Sequence, residues 1–105
     1  METICVPLSE IRKKVASLGM SEYQFTEYLM YLGKIGKLHN GIDRKSVLAN
    51  VRLIFHPTQE ELDNEEKYLL KITSQGFPSD YQDYLSDTLF SKVEEFLTSS
   101  GSSCL

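Results

Sequence analysis

A chain of 105 residues with 41% hydrophobic and 25% charged residues has the make-up of one ordinary globular domain rather than of a disordered or fibrous chain. Folding removes roughly two-thirds of the unfolded surface of such a chain from water, and no apolar run approaches the roughly 20 residues that a membrane-spanning helix needs. The net charge of −4 is unevenly held: residues 1–56 carry eight Lys and Arg against five acids, and residues 57–105 carry three Lys against ten acids. The resulting +3 and −7 halves suit an anionic partner steered to one end or two copies set head to tail; solvated helix faces are the plainer account.

Taken from the start, Met1 to Val6 is read as either an edge strand or a disordered leader. METICVPLSE lacks the basic start and long apolar centre of a secretory signal, so cytoplasmic residence is expected. A first helix follows Pro7, with Ile11, Val15 and Leu18 recurring at i, i+4 and i+7 and Gly19 at the position where a left-handed residue commonly ends a helix. Only Met20 separates it from Ser21, which with Gln24 forms a capping box; Met20 and Phe25 occupy the staple positions. Phe25, Leu29, Leu32 and Gly36 then share one side of the second helix. The opposite side carries Tyr23, Glu27, Met30, Tyr31 and Lys34, three of them large and partly apolar.

Gly36, Asn40 and Gly41 break that helix, and Leu38 with its neighbours is a candidate short strand. Residues 43–55 fit both a helical stripe and an alternating pattern; the length and the cap at Asp43 favour helix. His56-Pro57 ends the segment, and Thr58 with Glu61 is a second capping box. The stripe fails at Glu65 and Glu66, while Lys67 to Thr73 alternate, so a short helix followed by a strand is expected, with a continuous helix as rival. After the turn Gln75-Gly76-Phe77-Pro78, Ser79 and Gln82 repeat the cap pattern for a last helix with the stripe Tyr81, Leu85, Leu89, Val93 and Phe96. The domain is expected to span residues 1–98, and the polar run SSGSSCL, residues 99–105, to fray.

Cys5 and Cys104 lie at opposite ends of the chain without metal-ligand spacing, and are expected to be free thiols. A bridge between them would close a loop worth ~4.7 kcal/mol in the chain-entropy model if the termini met, but a reducing cytosol disfavours it. The penultimate cysteine does not make a prenylation box. No Gly-rich phosphate loop, GxSxG elbow or HExxH helix is present, so no enzyme, cofactor, metal or small-molecule substrate is expected. His39 is read as an exposed turn residue, and His56 as a helix-end residue that favours the dipole when charged.

The run LSEIRKKVASLGMSEYQFTEYLMYLGKIGKLH resembles a winged helix-turn-helix: a helix, a tight turn, a second helix patterned SxxxFxxxLxxL, and GKLH opening a strand, with Lys67 to Thr73 similar to a returning wing strand. The resemblance covers about a third of the chain. It implies a mainly α, single small winged-helix-like domain of four to five helices with a short two-stranded wing; the rival is an all-α helical bundle. It also makes the second helix the recognition helix, yet that face offers Tyr23, Glu27, Met30, Tyr31 and Lys34 where base reading calls for Arg, Lys, Asn and Gln. Tyr and Met suit protein contact instead.

The expected function is therefore a small interaction or adaptor module, meeting a protein partner or a second copy through residues 21–37, with Tyr23, Glu27, Met30, Tyr31 and Lys34 as contacts. The rival for that face is burial under the C-terminal helix. The alternative function is a DNA-binding regulator that holds phosphates with Arg12, Lys13, Lys14, Lys34, Lys37, Arg44 and Lys45 and dimerises through its acidic half.

Overall fold

Local chemistry sets where the helices begin and end. In the computed structural model, which describes residues 3–39, 43–73 and 88–104, β1 (Thr3–Pro7) runs directly into α1 (Leu8–Leu18). α1 stops at Gly19, whose φ of 67° is left-handed and which has no Cβ to strain. α2 (Glu22–Lys34) opens with the reciprocal Ser21–Gln24 capping box. Asp43 caps α3 (Arg44–Phe55) by accepting from the Lys45 amide, so the ambiguous segment is helix. Thr58 and Glu61 box the start of α4 (Gln59–Asp63), and a single 3-10 turn, Glu65–Lys67, leads into β2 (Leu69–Thr73). The last helix, α5, covers Thr88–Ser100 and is followed by the two-residue strand β3 (Ser102–Ser103). The turns at Asn40-Gly41 and Gln75 to Pro78, the Ser79–Gln82 cap, and Tyr81 and Leu85 lie outside the described residues.

The fold is mainly helical with a small antiparallel sheet, which sets aside the all-α bundle. Strand order is β2-β1-β3, with Ile4 opposite Ile72 and Val6 opposite Leu70 on one side, and Cys5 opposite Ser102 on the other. Beyond β2, Leu38 forms a single bridge to Ile72, fixed by Thr73 N–H donating to Lys37 O at 2.7 Å and His39 N–H to Lys71 O at 3.0 Å. The strand expected at Leu38 is thus only a one-residue bridge, and the strand that pairs along β2 is β1.

Within the segment read as an edge strand or a disordered leader, Thr3 to Val6 form the central strand of the sheet. Ile4, Cys5 and Val6 are all buried, the pattern of a strand covered on both faces rather than one alternating between core and water. The expected frayed tail is also ordered. Residues 99–104 complete α5, pair β3 with β1, donate Cys104 N–H to Thr3 O at 3.2 Å and end in a Cys5–Cys104 disulfide across a Cα separation of 5.4 Å. The cysteines are therefore not free thiols: β1 at the centre of the sheet draws the two ends of the chain together. Gly101 lies so close to β1 that a Cβ there would overlap the Ile4 side chain. We expect Gly101→Ala to destabilise the fold by about 1–3 kcal/mol through overpacking, read as a lower urea midpoint; an unchanged midpoint would show that the tail does not pack here.

One cluster of buried side chains joins β1, β2, α1, α2, α3 and α5. Phe25, Tyr28, Leu29 and Leu32 of α2 sit at its centre, each fully buried side chain of this size contributing roughly 1.5–3 kcal/mol. On α5 the buried residues are Phe90, Val93 and Leu97, with Leu89 and Phe96 only partly covered. At 100° per residue this inward face is rotated by roughly 70° from the expected Leu89, Val93, Phe96 stripe. The rotation seats Phe90 against two rings of α2, at 5.1 Å from Tyr28 and 6.4 Å from Tyr31.

α3 and α4 are tied by a two-pronged ion pair, Arg52 Nη1 and Nη2 donating to Glu61 Oε1 and Oε2 at 2.9 and 2.6 Å. That bond first, and the Thr58 amide second, hold the Glu61 carboxyl at about 2, against an ordinary value of 4.5. A depressed carboxylate stabilises the fold above its unfolded value and loses that contribution as pH falls through the folded one. Wild-type stability is therefore expected to fall between pH 4.5 and about 2, with a shallower fall in Glu61→Gln. Parallel curves for the two proteins would contradict this.

Candidate functional site

At 100° per residue, Tyr23, Glu27, Met30 and Lys34 fall within an arc of roughly 60° on α2, while Tyr31 stands nearer to Tyr28 than to the centre of that arc. Accessibility follows the same division. Tyr23 is 71% and Met30 42% exposed, and Glu27 and Lys34 are exposed. Tyr31 is 3% exposed, its ring stacked on Phe90 at an interplanar angle of 21°. Tyr31 is therefore not a solvent-facing contact: burial under the C-terminal helix holds for it and not for its four companions.

These residues do come together at the surface. Thr26, Glu27, Met30, Tyr31 and Lys34 line an open depression of about 420 Å³, in which Tyr31 supplies part of the floor and Met30 the exposed apolar wall. Tyr23 stands beside it and donates its hydroxyl to Glu27 Oε1 at 3.0 Å. By accepting that bond, the Glu27 carboxylate raises the phenol above its ordinary range and is itself held in one orientation. Lys34 makes no ion pair among the described residues. Thr26 was not among the expected contacts, although its position one turn before Met30 places it on the same side.

The inner flank of α2 is occupied by a polar contact that spacing does not reveal. Tyr28 is fully buried and donates to Glu94 Oε2 at 3.2 Å, while Lys37 Nζ lies 3.6 Å from Glu94 Oε1. Burial lifts the Glu94 carboxyl above its ordinary value, with Lys37 and Tyr28 opposing the shift. The Tyr28 phenol is raised well above its range by burial first and then by Glu94. A buried charge needs such partners, because an uncompensated one is costly in a low-dielectric interior.

Two of the expected phosphate-binding cations are engaged within the fold, Lys37 buried and Arg12 half-buried. Lys37 is only 6% exposed. Arg12 donates Nε to Ile54 O at 3.1 Å and Nη2 to Leu53 O at 2.8 Å, and pairs with Glu65. It satisfies carbonyls of the last turn of α3, where a cation favours the helix dipole. Lys13, Lys34, Arg44 and Lys45 are exposed, and Lys14 extends over the Phe96 ring, 5.9 Å from its centroid. These five are spread over α1, the end of α2 and the start of α3.

His39 is an exposed turn residue within 3.1 Å of Thr3 Oγ1, and His56, at the end of α3, lies 2.9 Å from Glu22 Oε2. Among the described residues no group of three or more His, Cys, Asp or Glu is placed to hold a metal ion, and no helix is long and apolar enough to cross a membrane. No protein-family model, curated protein sequence or solved structure matches this chain.

Proposed function

We propose that this protein is a small interaction module that meets a protein partner through the solvent side of α2, with Tyr23, Glu27, Met30 and Lys34 as the contacts. The observation that carries this reading is the exposed Tyr23–Met30 stripe alongside an open depression, on a helix whose other flank is anchored in the core. Aromatic and methionine side chains are enriched at such contacts because they give large area and adaptable packing. A rigid helix carrying them loses little entropy on binding. Phosphate contact, the alternative, is weakened by the engagement of Arg12 and Lys37 inside the fold and by a carboxylate at Glu27, which repels phosphate.

The disulfide bears on where the module works. Such bonds persist in oxidising surroundings and are rare in the reducing cytosol, so we place the chain in an oxidising compartment rather than in the cytoplasm expected from its first residues. A photoreactive residue at position 30, compared with one at the exposed Leu48 of α3, tests the docking surface. Protein adducts are expected from position 30 and should be lost in the Tyr23→Ala background; equal adducts from both positions, or none from position 30, would remove the reading.

A further inference from the structure

The charges on the docking face are arranged to match a copy of themselves. Glu27 and Lys34 stand seven residues apart on one side of α2, with Met30 between them, and all three line the same depression. If two such helices lie antiparallel about a twofold axis near Met30, each residue meets one whose number makes a constant sum with its own. Glu27 then faces Lys34 of the other copy, and the reverse pair forms by symmetry. Met30, 42% exposed, meets Met30 of its mate, so an apolar side chain covers an apolar side chain. Tyr23 holds the Glu27 carboxylate through a 3.0 Å hydrogen bond, and Lys34 has no ion pair among the described residues.

Resting on the reading of α2 as the docking face, we propose that its occupant is a second copy of this chain, packed antiparallel on the first with Glu27–Lys34 pairs at both ends of the contact. The pattern is self-complementary and does not require a partner of one charge sign. One helix about 20 Å long offers less than the roughly 800 Å² per partner of a standard stable interface. The association is accordingly weak, with a dissociation constant on the order of 100 µM, and the two rim ion pairs fix its register rather than supply its strength.

Sedimentation equilibrium of the intact, oxidised chain tests this, with urea midpoints confirming that each variant is folded. The wild type is expected to move from the 12.0 kDa chain mass toward twice that value as concentration rises to about 1 mM. Glu27→Lys alone and Lys34→Glu alone each set two like charges face to face and should weaken association at least tenfold. An equimolar mixture of these two variants restores both pairs in the mixed dimer, and the double variant Glu27→Lys/Lys34→Glu restores them in its own dimer. Both should regain the wild-type concentration dependence. A wild type that stays monomeric throughout, single variants that associate unchanged, or a mixture that stays monomeric would each overturn the proposal. Should it fail while cross-linking from position 30 still joins the chain to a different protein, only the second copy is lost and the docking face stands. A failure of both removes the docking reading itself.

Discussion

Cutting the Cys5–Cys104 bond is expected to lower the unfolding free energy by about 4 kcal/mol. The bond spans 99 residues, and the chain-entropy model gives ~4.7 kcal/mol for a loop near that length, with measured losses for native disulfides of about 2–5. For a domain of this size that amounts to a fall of roughly 15–30 °C in melting temperature. The measurement is thermal and urea unfolding with and without a dithiol reductant, repeated on Cys5→Ala/Cys104→Ala, where alanine leaves no polar group at the buried Cys5 position. The double variant should match the reduced wild type and be insensitive to reductant. A midpoint that does not move in either experiment would mean that the bond does not restrain the folded chain. The physical basis lies in the sheet. β3 makes only two residue pairs with β1, so fraying of the tail in the reduced chain is the expected route by which stability is lost.

Tyr31→Ala is expected to cost about 3–5 kcal/mol, the range for emptying a large aromatic site in a core, whereas Met30→Ala one position earlier should cost less than about 1 kcal/mol, as surface changes do. The contrast follows from burial and contacts. Tyr31 is 3% exposed and stacked on Phe90, while Met30 is 42% exposed and forms a wall of the depression. Urea unfolding of the two single variants reads the difference directly. Similar midpoints would show that α5 does not cover this flank of α2. The same pair bears on the docking surface, since Met30→Ala is a usable probe of binding only if the fold survives it, and Tyr31→Ala cannot serve that purpose.

The boundaries of the helices between Gly19 and Asp63 were legible in the chain because they are set by bonds among residues a few positions apart. Ser21 with Gln24, Asp43 with Lys45, Thr58 with Glu61, and Gly19 in its left-handed turn all act as their spacing predicts. The break of the stripe at Glu65–Glu66 likewise marks the change from α4 to β2. Tyr23, Glu27, Met30 and Lys34 were found by the same helical period, which separates one side of α2 from the other.

What a single helix cannot encode is how many neighbours will cover it and from which directions. α2 is enclosed by α3 on one flank and by α5 on another, so its buried arc widens to take in Tyr28 and Tyr31, and α5 turns to seat Phe90 against them. Arg12 and Lys37 read as solvent cations by composition, and became partners within the fold only once the C-terminal carbonyls of α3 and the Glu94 carboxylate were brought beside them. The meeting of the termini belongs to the same class. By itself this sequence determined the end of α1, the starts of α2, α3 and α4 and one accessible stripe, through interactions within a turn or two. The central place of β1, the disulfide and the division of α2 between core and surface were decided by tertiary structure, because each depends on contacts between residues far apart along the chain.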